Sequence, residues 1–172
     1  MDENSALPKN VLPLIGLSRE YCSTLAHATD FTLQEFVEKM IRFLPRIYIM
    51  VTDINPAIMA DEPDSYIVNA LDEEYYDLVR DRIEKLTGED DVYLEVFEAD
   101  MKYSDTPVSA SIAEGLADIF QVLFNFLAAV EDATDETVGI AMAGLAEDFR
   151  QYWSTTLCNV LRALNTLAYR NL

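Results

Sequence analysis

Glu73, Asp77, Asp81 and Glu84 are spaced so that the turns of an α-helix bring all four carboxylates to one side. Like charges at this spacing repel one another and weaken an isolated helix, so something must compensate. The compensation could come from Arg80, Arg82 and Lys85 nearby, or from a bound cation. Carboxylates on helices can hold Mg²⁺ or Mn²⁺, usually with waters and a phosphate ligand. Glu35 and Glu38 form a second pair, ExxE, and Glu114 with Asp118 a third, ExxxD. All-helical nucleotide pyrophosphatases bind magnesium through ExxE and ExxD pairs. Here the second pair has the wrong spacing, and the basic residues that phosphates need are sparse. The plainer expectation for the Glu73 to Glu84 face is a solvated surface with internal salt bridges.

Other chemistry is narrowed by what is present. The lone His27 has no Glu three residues before it, which excludes the ExxH pairs of di-iron carboxylate bundles. Cys22 lies five residues before His27, a poor spacing for a catalytic pair on one helix. Cys22 and Cys158 are read as free, buried thiols, too few for a disulfide scaffold or a zinc site. The sequence contains no GxxxxGK[ST], GxGxxG or GxSxG. Tyr75 and Tyr76 in DEEYYD, and Tyr103 with Asp105 in KYSD, mix acids with aromatics. Such a surface could receive a basic peptide, because Tyr offers apolar area and a hydroxyl together. Phe149, Tyr152 and Trp153, beside Arg150, are expected in the core or in a seam between helices.

The elements that must position these groups read as helices. Residues 1–16, with Pro8, Pro13 and Gly16, form an irregular lead-in, and Ser18 caps a short helix to about Ala28. Thr32 with Glu35 is a capping box. Behind it the apolar stripe from Leu33 to Ile58 keeps helical spacing, and Pro45 should kink or break it near residues 41–45. An acidic turn, Asp61 to Asp64, precedes a helix from about Asp72 to Thr87 that stops at Gly88. Val92, Leu94 and Val96 alternate as in a strand, but no other segment offers a partner. Residues 88–106 are therefore expected to be an irregular ordered loop anchored by Tyr93, Phe97 and Tyr103, and loops of this length are often functional. Thr106 with Pro107, or Ser111 with Glu114, opens the next helix, which runs to about Ala129. Thr134 or Asp135 starts another, and the pattern from Val138 to Tyr169 is one long helix or two. The fold expected is an all-α, up-and-down bundle of about six helices with short connections, in one domain spanning residues 1–172.

The formal net charge of −19, from 31 acids and 12 bases, disfavours phosphate contacts and anionic membranes. It favours no nucleic acid, no membrane and, if any partner, a basic protein. The acid is uneven: residues 61–105 carry 16 acids and 4 bases, residues 109–149 carry 8 acids and no base, and residues 150–172 carry three Arg and no acid. The N-terminus, MDENSALPKN, does not read as a signal peptide. The longest apolar run, within Ile119 to Val130, is interrupted by Gln121 and Asn125 and reads as too short and polar to span a bilayer. A cytoplasmic location is the expectation.

The stretch EEYYDLVRDRIEKLTGEDDVYLEVF (Glu73 to Phe97), with MKYSDTPVSASIAEGLADIFQ (Met101 to Gln121) and FRQYWSTTLCNVLRAL (Phe149 to Leu164), resembles a family of short acidic proteins from Bacteroidetes. That family is catalogued as a domain of unknown function, numbered 5063. The resemblance covers about residue 30 to the C-terminus, and its most distinctive part is Tyr103 to Pro107. It implies a bacterial, cytoplasmic, helical protein and supplies no activity. Three functional expectations result. The first is a non-enzymatic module whose acidic face meets a basic partner. The second is a metal-dependent phosphohydrolase of nucleotides or similar phosphates, using Mg²⁺ or Mn²⁺ on Glu73, Asp77 and Asp81, or on Glu35 and Glu38. The third is a structural homodimer with the 33–58 stripe as its seam.

Overall fold

A computed structural model describes residues 9–55, 67–95, 102–103 and 106–170. Within them the chain is all-α apart from one two-stranded ribbon. The helices are α1 (Val11–Ala26), α2 (Leu33–Thr52), α3 (Glu73–Thr87), α4 (Ile112–Val130), α5 (Asp135–Asp148) and α6 (Ser154–Tyr169). The strands are β1 (Val92–Leu94) and β2 (Ser109–Ser111). The expected turn at Asp61 to Asp64, the end of the stripe at Ile58, the anchor Phe97 and the candidate Asp105 lie outside the described residues.

Four sequence expectations change. First, α1 begins at Val11, inside the expected irregular lead-in. Val11 and Leu14 are buried one turn apart, and Pro13 sits in the first turn, where its missing N–H costs nothing. Ser18 is not a cap but a fully buried residue in the middle of α1. Second, α2 is a single helix through Pro45. Met40, Leu44, Ile47 and Val51 are buried along it on both sides of the proline, and this continuous packing outweighs the lost backbone bond. Third, the 92–94 segment does have a partner. It pairs antiparallel with β2, Val92 opposite Ser111 and Leu94 opposite Ser109. Ser109-Ala110-Ser111 carries no apolar alternation, which is why periodicity did not reveal it. Fourth, Cys158 is exposed and only Cys22 is buried.

The C-terminal run is one helical path with a defect. Between α5 and α6, Phe149–Trp153 form a π-helical turn, and the flanking Asp148 and Ser154 keep right-handed helical dihedrals. Phe149 and Trp153 are buried edge-to-face at 4.5 Å, while Tyr152 stands 70% exposed. The extra residue of the π turn lets the buried face of α5 and that of α6 both meet the core.

α4 is the central helix, packed by α1, α3, α5 and α6. It is longer than the run noted in the sequence. Its 19 residues, with a mean hydropathy of 1.4 over an 18-residue window, suffice by length and composition to cross a bilayer, which corrects the reading of that run as too short and polar. In this fold, Ile112, Leu116, Ile119, Phe120, Leu123 and Phe126 are buried by the helices around it. Asn125 finds a specific use: its Oδ1 accepts from the backbone N–H groups of Ala70 and Leu71, both at 2.9 Å, tying down the approach to α3. Tyr76 then meets Asp118, and Asp91 beyond α3 reaches the first turn of α4, so α3 and α4 run antiparallel. α2 and α6 also run antiparallel, with Leu33 beside Leu167 at one end and Tyr48 against Phe149 at the other. The described part of the apolar stripe of α2 is therefore packed within the chain, against α1 and α6.

Candidate functional site

The joint between α3 and α4 assembles a polar site from local signals. Asp72 caps α3 by accepting from the Tyr75 N–H at 2.7 Å. Gly88 ends α3 at φ +55°, a conformation that suits glycine, and a short 3₁₀ turn then leads to Asp91. Asp91 is buried and accepts three hydrogen bonds, from Thr87 Oγ1 at 2.9 Å, Ser111 Oγ at 2.5 Å and the Ala113 N–H at 2.8 Å. Ser111 Oγ in turn accepts from the Glu114 N–H at 3.0 Å. Two orphan donors of α4 are thus satisfied, with a negative charge at the positive end of the helix dipole. This arrangement fixes the ribbon against the start of α4 and places Glu95, Glu114 and Asp118 around one hollow.

That hollow encloses about 170 Å³ between the ribbon, α4 and α6, and is lined by Tyr93, Glu95, Glu114, Asp118, Thr156 and Asn159 among others. α6 passes beside Gly115, where an added Cβ would meet Val160 and Thr156 at ordinary contact distances of 3.5–3.6 Å. Glu95 is buried and accepts from Asn159 Nδ2. Asp118 accepts from the Tyr76 hydroxyl at 2.7 Å. Burial pushes the Asp118 carboxyl above the usual range, the Tyr76 bond opposes this, and the nearby charge of Glu114 adds to it. Burial and the same carboxylates hold the Tyr76 hydroxyl well above its ordinary value. Tyr93 is pushed up to about 12 by burial and by Glu95. Among the described residues no Lys or Arg lines the hollow, and Arg162 acts on Tyr93 at its edge.

The residues singled out in the sequence are distributed differently. Glu73, Asp77 and Asp81 do share one face of α3, with Glu74 and Leu78, around an open depression. Arg80 bridges Asp77 and Asp81, both at 3.0 Å, so part of the like charge is offset within the helix. Arg82 instead donates to the Ala26 carbonyl at the end of α1. Glu35 is occupied by its capping box, accepting from the Thr32 N–H at 2.8 Å, and these bonds hold its carboxyl below the usual range. Glu38 accepts from Gln34 and lines a separate hollow with Leu33, Leu167 and Arg170. Glu35 and Glu38 are thus not brought to the α3 acids. Among the described residues, no three His, Cys, Asp or Glu side chains are grouped to hold a metal ion. Tyr75 packs edge-to-face on Phe120 and Phe124, Tyr76 points to Asp118, and Tyr103 is 86% exposed with Lys102 over its ring.

Glu95, Asn159 and Thr156 were not found from the sequence. Thr156 and Asn159 lie one turn apart on α6, and Glu95 follows β1, so only the packing of α6 beside the ribbon brings them together. The signal the sequence did carry for this hollow was Glu114 with Asp118, noted there as an ExxxD pair.

Comparison with known proteins adds a family and a fold. The family described as a domain of unknown function, DUF5063, matches residues 5–170. Protein BF1032 from Bacteroides fragilis, known from a crystal structure, superposes with a TM-score of 0.79 at 26% identity, covering 96% of this chain and 99% of that one. No curated protein matches.

Proposed function

From the premise that the chain belongs to the DUF5063 family, a domain of unknown function, we propose that it is a protein-interaction module whose polar hollow receives a Lys or Arg side chain from a basic partner. The observation that carries this reading is the lining of the hollow: carboxylates from the end of the ribbon and from two turns of α4, hydroxyl and amide groups from α6, and, among the described residues, no basic one. At about 170 Å³ it is smaller than the roughly 300–1,000 Å³ of ordinary ligand pockets, but it can hold the head of one cationic side chain. A guanidinium, with five donors in a plane, can satisfy carboxylates that fan around it without touching one another. The neighbouring face of α3 extends the negative field. Tyr76 joins the two, since its hydroxyl sits on Asp118 one helical turn from Arg80 and its acids. This field would steer a basic segment toward the hollow.

A labelled peptide of alternating Arg and Ala tests the proposal by fluorescence anisotropy. The double change Glu114→Gln with Asp118→Asn should weaken binding by about tenfold or more, since charge-assisted bonds are lost. Asp77→Asn with Asp81→Asn should weaken it only about two- to threefold, as exposed charges do. Asp135→Asn with Glu136→Gln, at the other end of α4, is the control. Equal losses in all three variants would mean diffuse attraction to an acidic protein and would overturn the proposal, as would undiminished binding by the Glu114/Asp118 variant.

A further inference from the structure

A second hollow, between α1 and α4 with Tyr75 of α3 at its base, has a different character. It encloses about 370 Å³. One wall is aromatic: Phe120 and Phe124 lie nearly parallel at 5.7 Å, and Tyr75 meets both edge-to-face at 5.7 and 5.8 Å. The rim carries Arg19, His27 and Glu131. Arg19 and Glu131 line the same hollow with opposite charges, yet no salt bridge joins them, and neither is paired to any other described residue. His27 is fixed by its Nδ1–H, which donates to the Ser23 carbonyl at 2.8 Å and leaves Nε2 as its free nitrogen.

We propose that this hollow binds a free zwitterionic aromatic amino acid. The ring would lie against Phe124 and Tyr75, where aromatic pairs favour offset or edge-on contact. The carboxylate would take the two-pronged guanidinium of Arg19, and the ammonium would go to Glu131. Both charges of the ligand are needed because the rim offers one of each sign, held apart. The volume exceeds what one side chain needs and falls in the usual range for small-molecule sites, roughly 300–1,000 Å³. This proposal does not depend on the polar hollow at the other end of α4.

The test is a titration of the ¹⁵N-labelled full chain with L-phenylalanine, followed by amide shifts. Four comparison ligands each lack one feature: 3-phenylpropionate the ammonium, phenethylamine the carboxylate, glycine the ring, and N-acetyl-L-phenylalanine amide both charges. L-phenylalanine should give saturable shifts at Arg19, Tyr75, Phe124 and Glu131, with each comparison ligand about tenfold weaker or more. Arg19→Gln should abolish the preference over phenethylamine, and Glu131→Gln the preference over 3-phenylpropionate. Both positions are exposed, so the variants should fold. The proposal is overturned if no ligand shifts these residues at its solubility limit. It is equally overturned if 3-phenylpropionate or the blocked amide binds as well as the free amino acid, or if Arg19→Gln changes nothing.

Discussion

Asp118 joins opposing demands in one carboxyl group. Its partial burial between α3 and α6 disfavours the charge, Tyr76 supports it, and burial wins, so its pKa is raised. A raised carboxyl pKa means that the folded chain holds the proton more tightly than the unfolded chain. Stability therefore falls as pH rises from the unfolded value, about 3.9, through the folded one. At neutral pH the cost of the buried charge is fully present. Asp118→Asn keeps an oxygen for the Tyr76 hydroxyl and removes the charge. It should raise the thermal midpoint at pH 7, with the gain shrinking to nothing below about pH 3.9. Thermal melts of both proteins from pH 3 to 8 would check this, and a midpoint lowered at pH 7 would contradict it. A residue that costs stability where it stands, yet lines the candidate site, fits a role in binding.

At the scale of elements, the joint from α3 through the ribbon to α4 determines whether the site exists. Its residues are local signals acting together: Gly88 stops α3, Asp91 holds both helix ends and Ser111 caps α4. Gly88 adopts φ +55° and ψ −126°, where any Cβ is strained although a methyl group would meet nothing within 4 Å. Gly88→Ala should therefore cost about 1–3 kcal/mol through the backbone alone. Chemical denaturation would measure the loss, and an unchanged midpoint would show that the joint relaxes freely. The stop at Gly88 and the cap at Ser111 were legible in the sequence, because each is a single-residue signal. The pairing of β1 with β2 was not, because Ser109 to Ser111 is a strand only by virtue of what lies beside it.

Across the whole molecule, the uneven charge has a structural use as well as a functional one. Arg170 near the end of α6 binds Asp90 with two hydrogen bonds, at 2.5 and 2.9 Å, and Arg162 donates to the Leu94 carbonyl at 2.7 Å. The acid-free last helix thus fastens the acidic segment that follows α3. Arg170 holds the Asp90 carboxyl below the usual range, so this bridge contributes above the unfolded value and is lost as pH falls through the folded one. The net charge of −19 should also govern encounter with a basic partner. Raising the salt from 50 to 500 mM should slow association with the Arg-Ala peptide by about tenfold or more, while its dissociation rate changes little. Stopped-flow measurements would check this; a salt-independent association rate would count against electrostatic steering.

The sequence by itself determined the helical class, the capping box of α2, the limits of α3 and the concentration of acid in its middle. These are properties of one helix or one turn, set by periodicity and by residues that act on their own backbone. The tertiary structure alone decided which acids share a site. Glu73, Asp77 and Asp81 have matched spacing, but they line only an open depression, and Arg80 bridges Asp77 and Asp81. Glu114 and Asp118 share a face of α4, but Glu95 lies far from them in sequence, and it joins them because the antiparallel packing of α3 and α4 brings the ribbon beside the start of α4. Spacing along a chain fixes neighbours within a turn or two. Which turns of different helices come together is fixed by the burial of their apolar faces.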